Sequence, residues 1–351
     1  MDKRNKKVFI TGATGFIGGW CAEAFTLRGD YDVVAGIRTW SKAARIARFG
    51  VPLKQFDLLN LESISHAIEG CDCVVHAAVG DDMATIQGTQ NLFEAAVQKK
   101  VKRIIHISTV AIYGDKEGVI YEDSEISPQT PYAKRKMQSE EVAKSYGDRL
   151  EVVILRPTIV YGPFSDQWTL NFAQRLYSGK WGLLGSGGDG FCNLVYVGDV
   201  VRAIILAIEM PLDAVSEFNI NGPDEITWND FFQRFSFALG LGELSNVSAQ
   251  NVKFRALVMK PIRTFGGFVL SRFRKQLVLL TKTFGFADFL LRKTEGELKL
   301  TPTPDQLALY RRKVVFDTGK SRKLLGYTPL TSADRGLFLS AEWVKHHGLF
   351  D

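Results

Sequence analysis

A glycine-rich loop directly follows the first apolar run of the chain, Val8-Phe9-Ile10, and precedes a predicted helix, Phe16–Arg28. Glycines at the first, fourth and seventh places allow a tight turn, close approach of a pyrophosphate and close packing of the helix. The first helical turn adds N–H donors and the positive end of the helix dipole. A glycine loop between strand and helix predicts a dinucleotide site, made of Thr11, Gly12, Thr14, Gly15, Phe16, Ile17 and Gly18.

Apolar runs and helical patterns alternate through the first half of the chain. Further strands are predicted at Tyr31–Ile37, Val51–Phe56, Cys73–His76 and Arg103–Ile107, and a clear helix at Ala84–Lys99. This alternation is typical of a parallel sheet covered by helices on both faces. The predicted fold class is therefore α/β, a doubly wound Rossmann sheet.

The pattern changes after Leu155, where loop signals appear at Gly162-Pro163 and in the glycine-rich run 185–190. We expect a Rossmann NAD(P)-binding domain over residues 1–160, to which about 193–218 return. Most of residues 161–351 are expected to form a smaller C-terminal substrate-binding lobe.

Bulk composition is ordinary for a globular protein, with 46% hydrophobic and 23% charged residues. The formal net charge of +6 does not by itself indicate nucleic-acid binding, and no nucleic-acid partner is expected. Neither a secretory signal nor a stretch of roughly 18 apolar residues is present. A cytoplasmic location is expected.

The cysteine spacing does not favour a metal site. Cys71 and Cys73 stand two apart, which suits neither a zinc site nor a redox pair, and Val74-Val75 continue the apolar run of a strand. We expect no metal.

The glycine spacing G-x-x-G-x-x-G, together with Thr11, resembles the extended branch of the short-chain dehydrogenase/reductase superfamily. In that family Asp57-Leu58 match the position that touches the adenine ring. Ala77-Ala78 match the small-residue turn beneath the cofactor. The resemblance thus implies an NAD(P)-dependent enzyme.

The residues at the end of the second predicted strand indicate whether the cofactor is NAD or NADP. An NAD-selective site would carry a carboxylate there to bind the ribose 2′-hydroxyl. This chain has Arg38, with Lys42 just beyond, and both can meet a 2′-phosphate with charge-assisted hydrogen bonds. NADP is favoured over NAD.

Tyr132 and Lys136 stand four residues apart behind Pro131, which suits the first position of a helix, so both side chains share one helix face. A nearby ammonium favours the phenolate form of a tyrosine, which otherwise has a pKa near 10. Tyr132 can then act as acid or base at a carbonyl or alcohol. Lys136 can also hold the nicotinamide ribose.

The segment His106–Gly114 resembles the fifth-strand segment of the extended family, and the resemblance places Thr109 at the catalytic hydroxyl position. Ile107 in that segment and Pro157 in Leu155-Arg156-Pro157 are matched to cofactor-lining positions. Segments 193–200 and 316–329 extend the match over most of the chain.

Two departures from the family pattern bear on which of the family's activities this chain can have. Thr85 stands where many relatives have Asn, and the loop after Ala78 is short. Val110-Ala111 occupy the positions at which sugar-nucleotide 4,6-dehydratases carry an Asp-Glu pair, so a dehydratase is disfavoured.

A late segment, 251–293, contains ten basic residues and one acid, interleaved with many apolar residues. Three interpretations remain open: helices of the substrate lobe whose cations bind a diphosphate, peripheral contact with an anionic membrane, and binding of a partner.

Three functional hypotheses follow. The first is a dehydrogenase/reductase that interconverts a lipophilic secondary alcohol and ketone, as in 3β-hydroxysteroid dehydrogenase-like members. The second is a nucleotide-sugar epimerase with a tightly bound NAD. The third is a non-enzymatic NAD(P)-sensing protein, although relatives of that kind typically lack the Tyr/Lys pair. The family resemblance also implies a homodimer.

Overall fold

The computed structural model describes residues 5–247, 252 and 302–348. These residues divide into two compact units. The first comprises residues 5–161, 193–224 and 315–333, and the second 162–192, 225–247 with 252, 302–314 and 334–348. Nearly all of the basic segment 251–293 lies outside the described residues, and the three interpretations of that segment lie outside them too.

The strands are β1 (Lys6–Thr11), β2 (Tyr31–Ile37), β3 (Leu53–Gln55), β4 (Cys73–His76), β5 (Arg103–Ile107), β6 (Gly118–Ile120), β7 (Glu151–Pro157), β8 (Ile159–Tyr161), β9 (Leu194–Tyr196), β10 (Val215–Ile220) and β11 (Val314–Phe316). The α-helices are α1 (Phe16–Arg28), α2 (Ala44–Ala47), α3 (Leu61–Ala67), α4 (Asp82–Gln98), α5 (Pro131–Lys144), α6 (Asn171–Tyr177), α7 (Val197–Glu209), α8 (Trp228–Leu239), α9 (Pro304–Leu309), α10 (Gly319–Leu325) and α11 (Ala333–His346).

The first unit is built on a seven-stranded sheet in the order β3-β2-β1-β4-β5-β7-β10. Its strands pair in parallel, which confirms the predicted α/β class. Strand order reverses between β1 and β4, where Thr11 stands beside His76 in register. In sheets of this kind ligands bind outside the carboxyl ends of the strands at such a reversal.

Helices cover the sheet and exclude water from it. Phe9, Val74, Ile104 and Val152 have no exposed surface, because each lies in a cluster that also contains residues of α3, α4 and α5. Near-continuous apolar strands of this kind are expected where both faces of a parallel sheet are covered.

The predicted bounds of α1, β2, β4 and β5 agree with the structure. Strand β3 is shorter than predicted: it covers Leu53–Gln55 and pairs only with the last three residues of β2. Helix α4 begins at Asp82, two residues before the prediction, because the Asp81 carboxylate accepts a hydrogen bond from the Ala84 N–H and caps the helix there.

The second unit is held together by aromatic side chains. Its largest fully buried residues include Trp228 on α8 and Phe172 on α6, whose ring centroids lie 6.1 Å apart. Helix α8 starts with a capping box in which Thr227 and Asp230 satisfy each other's backbone N–H groups. None of the helices that the structure describes combines the length and the apolar character needed to cross a bilayer.

Candidate active site

The turn between β1 and α1 has room only for glycine at two positions. Gly12 has a φ of +66°, and a Cβ atom there would lie 2.8 Å from the Cα of Ala78. A Cβ atom on Gly18 would lie 2.3 Å from the carbonyl oxygen of Gly12. The glycine turn, the turn at Ala77-Ala78 and the start of α1 are therefore in direct backbone contact.

The N-terminus of α1 is open to a ligand. Gly15 is the N-cap residue and has no side chain with which to cap the first-turn N–H groups. Gly15 is exposed, and Thr14, Phe16 and Ile17 are half-buried around it. Uncapped N–H groups at a positive helix end fit a pyrophosphate, so this turn suits the dinucleotide predicted from the sequence.

The other predicted cofactor positions lie at the carboxyl ends of β2 and β3. Arg38 and Lys42 are exposed, and the Arg38 carbonyl accepts a hydrogen bond from Gln55 Nε2 at 3.1 Å. Asp57 is exposed and accepts from the Leu59 N–H at 3.0 Å, while Leu58 is half-buried.

A chain of hydrogen bonds ties the glycine turn to α4 through His76. Thr89 Oγ1 donates to the Thr85 carbonyl at 2.6 Å, so it must accept from His76 Nε2 at 3.0 Å. His76 Nδ1 then accepts from the Thr11 hydroxyl at 2.8 Å, and Thr11 Oγ1 accepts from the Ala78 N–H at 3.2 Å. The network assigns one neutral tautomer to His76. Burial lowers the pKa of His76 to about 3, in agreement with that state.

Helix α5 carries Tyr132 and Lys136 on one face, as predicted. Thr130 is its N-cap and accepts from the Ala133 N–H at 3.1 Å, and Pro131 occupies the first turn. These two residues start the helix one position before Tyr132, which determines the direction in which its side chain leaves the helix.

Lys136 is buried, with 2% of its surface exposed. Its Nζ donates to the Ile107 carbonyl at the end of β5, 2.5 Å away. Desolvation lowers the pKa of Lys136 to about 8, and the negative charge of Glu140 acts in the opposite direction. The fraction of Lys136 that is charged therefore depends on the charges of its neighbours.

Tyr132 lies beside Thr109 at the end of β5. The tyrosine is 41% exposed, yet the protein around its hydroxyl raises the pKa of Tyr132 by desolvation, while a hydrogen bond with Thr109 lowers it. Thr109 Oγ1 also accepts from the Ala111 N–H at 3.2 Å, which fixes the threonine rotamer. The structure thus brings the predicted phenol and hydroxyl into contact, and it places the predicted ammonium one helical turn from Tyr132, bound to the Ile107 carbonyl.

His106 is a site residue that sequence reasoning missed. Ser139 Oγ donates to the Lys136 carbonyl at 2.9 Å and accepts from His106 Nε2 at 3.1 Å. This bond places a proton on His106 Nε2, and burial together with the charge of Lys136 holds the pKa of His106 well below the usual 6.5, which favours the neutral ring. The His76 and His106 rings lie 5.2 Å apart. Only the position of each at a strand end could have indicated this pair.

Glu140 and Arg156 were also missed as a pair. Arg156, on β7 just before the predicted cofactor residue Pro157, is fully buried and its Nη2 lies 2.7 Å from Glu140 Oε2. Glu140 follows Lys136 by four residues, one turn further along α5. That spacing was the available signal in the sequence.

Among the residues that the structure describes, no group of His, Cys, Asp and Glu side chains could hold a metal ion. Cys71 and Cys73 are free, buried thiols at the start of β4.

The fold and this edge of the sheet define a dinucleotide-binding Rossmann protein. A family model, that of the NAD dependent epimerase/dehydratase family, matches residues 8–221, more than half of the chain. The chain belongs to that family and is an NAD(P)-dependent enzyme.

Three known proteins illustrate its range of relatives. The chain is 28% identical over 57% of its length to N-acetyl-alpha-D-glucosaminyl-diphospho-ditrans,octacis-undecaprenol 4-epimerase of Escherichia coli O157:H7, of which the match covers 62%, less than two thirds. It is 24% identical over 98% of its length to a decarboxylating sterol-4-alpha-carboxylate 3-dehydrogenase of Candida albicans, of which the match covers 99%. The UDP-glucuronic acid 4-epimerase of Bacillus cereus in complex with NAD has a similar fold, with a TM-score of 0.71, 21% identity, and coverage of 98% of this chain and 100% of that one.

Proposed function

We propose that this protein is a dehydrogenase/reductase that interconverts a secondary alcohol and a ketone, with Tyr132 as the acid/base. The observation that carries the proposal is the hydrogen bond between Tyr132 and Thr109, with the buried Lys136 one helical turn further along α5 and bound to the Ile107 carbonyl. Each of these groups has a distinct task in hydride transfer at a carbonyl carbon.

Tyr132 donates its phenolic proton to the substrate oxygen during reduction and accepts a proton from the hydroxyl during oxidation. Thr109 hydrogen-bonds the same oxygen and holds it toward Tyr132. Lys136 supplies positive charge that favours the phenolate. When bound, the dinucleotide supplies or accepts the hydride.

The dinucleotide is held by three groups of residues in this proposal. The glycine turn and α1 bind the pyrophosphate through Thr11, Gly12, Thr14, Gly15, Phe16, Ile17 and Gly18. The adenosine half lies against Arg38, Lys42, Asp57 and Leu58. The nicotinamide half lies against Ala77, Ala78, Ile107, Tyr132, Lys136 and Pro157.

NADP is the favoured cofactor because β2 ends on exposed cations. Arg38 and Lys42 are free to approach a 2′-phosphate from solvent, whereas a carboxylate that would hold a ribose 2′-hydroxyl is absent from the end of β2.

The substrate is proposed to be a lipophilic alcohol or ketone, bound by the lobe formed mostly by residues 161–351. The match over almost the full length of the sterol-4-alpha-carboxylate dehydrogenase supports this class. We further propose a cytoplasmic homodimer in which the basic segment 251–293 serves either the substrate lobe or peripheral contact with a membrane.

A nucleotide-sugar 4-epimerase is the second candidate. The 28% identity to the E. coli 4-epimerase favours it, and the same Tyr/Lys arrangement would serve it. An epimerase returns its NAD unchanged, so the two candidates differ in net consumption of cofactor.

The test is to release and identify any nucleotide that co-purifies, and then to follow absorbance at 340 nm with NADPH and a panel of lipophilic ketones. We expect net oxidation of NADPH, and Tyr132→Phe should lower kcat/KM by about 10²–10⁴-fold while cofactor binding is retained. The exposed Tyr121 provides the matched control, since Tyr121→Phe should leave turnover unchanged.

Tightly bound NAD, together with epimerisation of a nucleotide-sugar and no net absorbance change, would establish the second candidate instead. Full activity in Tyr132→Phe would overturn both.

A further inference from the structure

Arg156 is surrounded so completely that all five of its N–H donors have an acceptor. Nε and one Nη2 proton bind the Glu140 carboxylate at 3.0 and 2.7 Å, and Nη2 also reaches Glu217 at 3.3 Å. Nη1 donates to the Tyr113 hydroxyl at 2.8 Å and to the Glu122 carbonyl at 3.0 Å. This side chain therefore has a single orientation.

The Glu140 carboxylate is also fixed by its contacts. It is 1% exposed, and its carboxylate receives the Arg156 guanidinium as a two-pronged pair. Lys144, one turn further along α5, lies 3.9 Å from Glu140 Oε2 and contacts Glu217. Arg156 on β7 and Glu217 on β10 thus anchor the middle of α5 to the sheet.

A buried ion pair is weak evidence for stability, because desolvation of both charges offsets much of their attraction. A role in specifying position is the alternative that geometry supports here. Tyr132, Lys136 and Glu140 follow one another at intervals of four along α5, so each is a neighbour of the next on the surface of the helix.

The ionisable groups near Lys136 and its neighbour Glu140 come from four elements. His76 from β4 and His106 from β5 are both neutral, and Tyr132 and Glu140 come from α5 itself. Arg156 from β7 meets Glu140. Within the described part of the chain, Glu140 is the anion that acts on Lys136.

We propose that Glu140, held by Arg156, is a positioning residue: it places a carboxylate one helical turn from Lys136 and fixes the helix face that presents Lys136 and Tyr132 to the reaction. The inference rests on the proposed function of those two residues. It assigns the buried pair to the chemistry of the site rather than to packing alone.

The first test compares Glu140→Gln with Glu141→Gln, the same change on the exposed face one residue along. The protein is labelled with ¹⁵N at lysine Nζ, the Lys136 signal is assigned by its loss in Lys136→Arg, and it is titrated by NMR without turnover. We expect the pKa of Lys136 to fall by about one unit in Glu140→Gln and to stay unchanged in Glu141→Gln.

The same variants give a kinetic prediction. Because Lys136 acts as an ammonium, the alkaline limb of the kcat profile should move to lower pH by about one unit in Glu140→Gln. The Glu141→Gln profile should coincide with that of the unaltered protein.

The second test separates charge from packing. The double variant Glu140→Leu/Arg156→Met replaces the ion pair with apolar side chains of similar volume, a replacement that is often neutral or stabilising. We expect it to fold while its Lys136 pKa and alkaline limb remain displaced. Return of both to the values of the unaltered protein would show that the pair only packs, and would overturn the proposal.

The two proposals fail in different ways. Absence of turnover with every ketone and nucleotide-sugar would overturn the proposed function, and the NMR titration would be unaffected. An unchanged Lys136 pKa in Glu140→Gln would overturn the positioning role in an enzyme that is otherwise active.

Discussion

The two units of the molecule differ in the kinds of side chain that they bury. In the second unit the interior is aromatic: Trp228 packs against Phe172, Phe231, Phe232 and Tyr310 with ring centroids 4.5–6.1 Å apart. In the first unit, beside the candidate active site, the buried residues include two imidazoles, an ammonium and a guanidinium–carboxylate pair.

This difference distinguishes side chains that stabilise the fold from side chains that can take part in chemistry. Aromatic rings gain free energy from burial and need few partners. Buried polar groups gain little and are stable only where most of their hydrogen bonds are made. Their concentration near Lys136 agrees with the roles proposed for Tyr132 and Lys136.

The largest effect is expected in the aromatic interior. Trp228→Ala should lower the free energy of unfolding by about 3–5 kcal/mol, because it removes a side chain with no exposed surface. Urea unfolding followed by circular dichroism measures this loss. Phe237, on the same helix and 55% exposed, is the control, and Phe237→Ala should cost less than about 0.5 kcal/mol. Equal losses in the two variants would contradict the picture of an aromatic core.

The next effect concerns a buried imidazole and depends on pH. Folding holds the pKa of His106 well below 6.5, so the unfolded chain binds its proton first as the pH falls. The resulting contribution to stability is complete above pH 6.5 and is lost on acidification, at about 1.4 kcal/mol per pH unit.

His106→Leu should therefore flatten the decline of unfolding free energy between pH 6.5 and 5, by about 2 kcal/mol at the lower end. The control is His66→Leu, because His66 is exposed. In that variant the unfolding free energy should fall with pH as it does in the unaltered protein. An unaltered slope in His106→Leu would mean that this ring is charged in the folded state.

The smallest effect is expected at the exposed edge of the site. Arg38→Ala should reduce the preference for NADPH over NADH by about tenfold, or 1.4 kcal/mol, since one charge-assisted contact is removed. The ratio of kcat/KM for the two cofactors measures it, and the stability of the protein should not change. A preference that stays constant would place the 2′-phosphate elsewhere.

Much of the first unit was predictable because its signals are local. A strand, a glycine loop and a helix follow one another in sequence, and their bounds depend on neighbouring residues such as Gly15. The spacing of Tyr132 and Lys136 likewise needs only the helical repeat.

The remaining features depend on contacts between residues far apart in sequence. Arg156 meets Tyr113 and Glu217, which are 43 and 61 residues away, and nothing in the local pattern of β7 indicates a buried cation. The pairing of His76 with His106 arises from the adjacency of β4 and β5 in the sheet. Only the assembled sheet creates these neighbours.

The contact between Gly12 and Ala78 limits how this site can be redesigned. The two turns touch through backbone atoms and are joined by the bonds of Thr11 and His76, so a larger residue on either turn displaces the other. The rim formed by Arg38 and Lys42 is not tied in this way. Exchange of side chains to alter cofactor choice should therefore begin at that rim, with the glycine turn kept as it is.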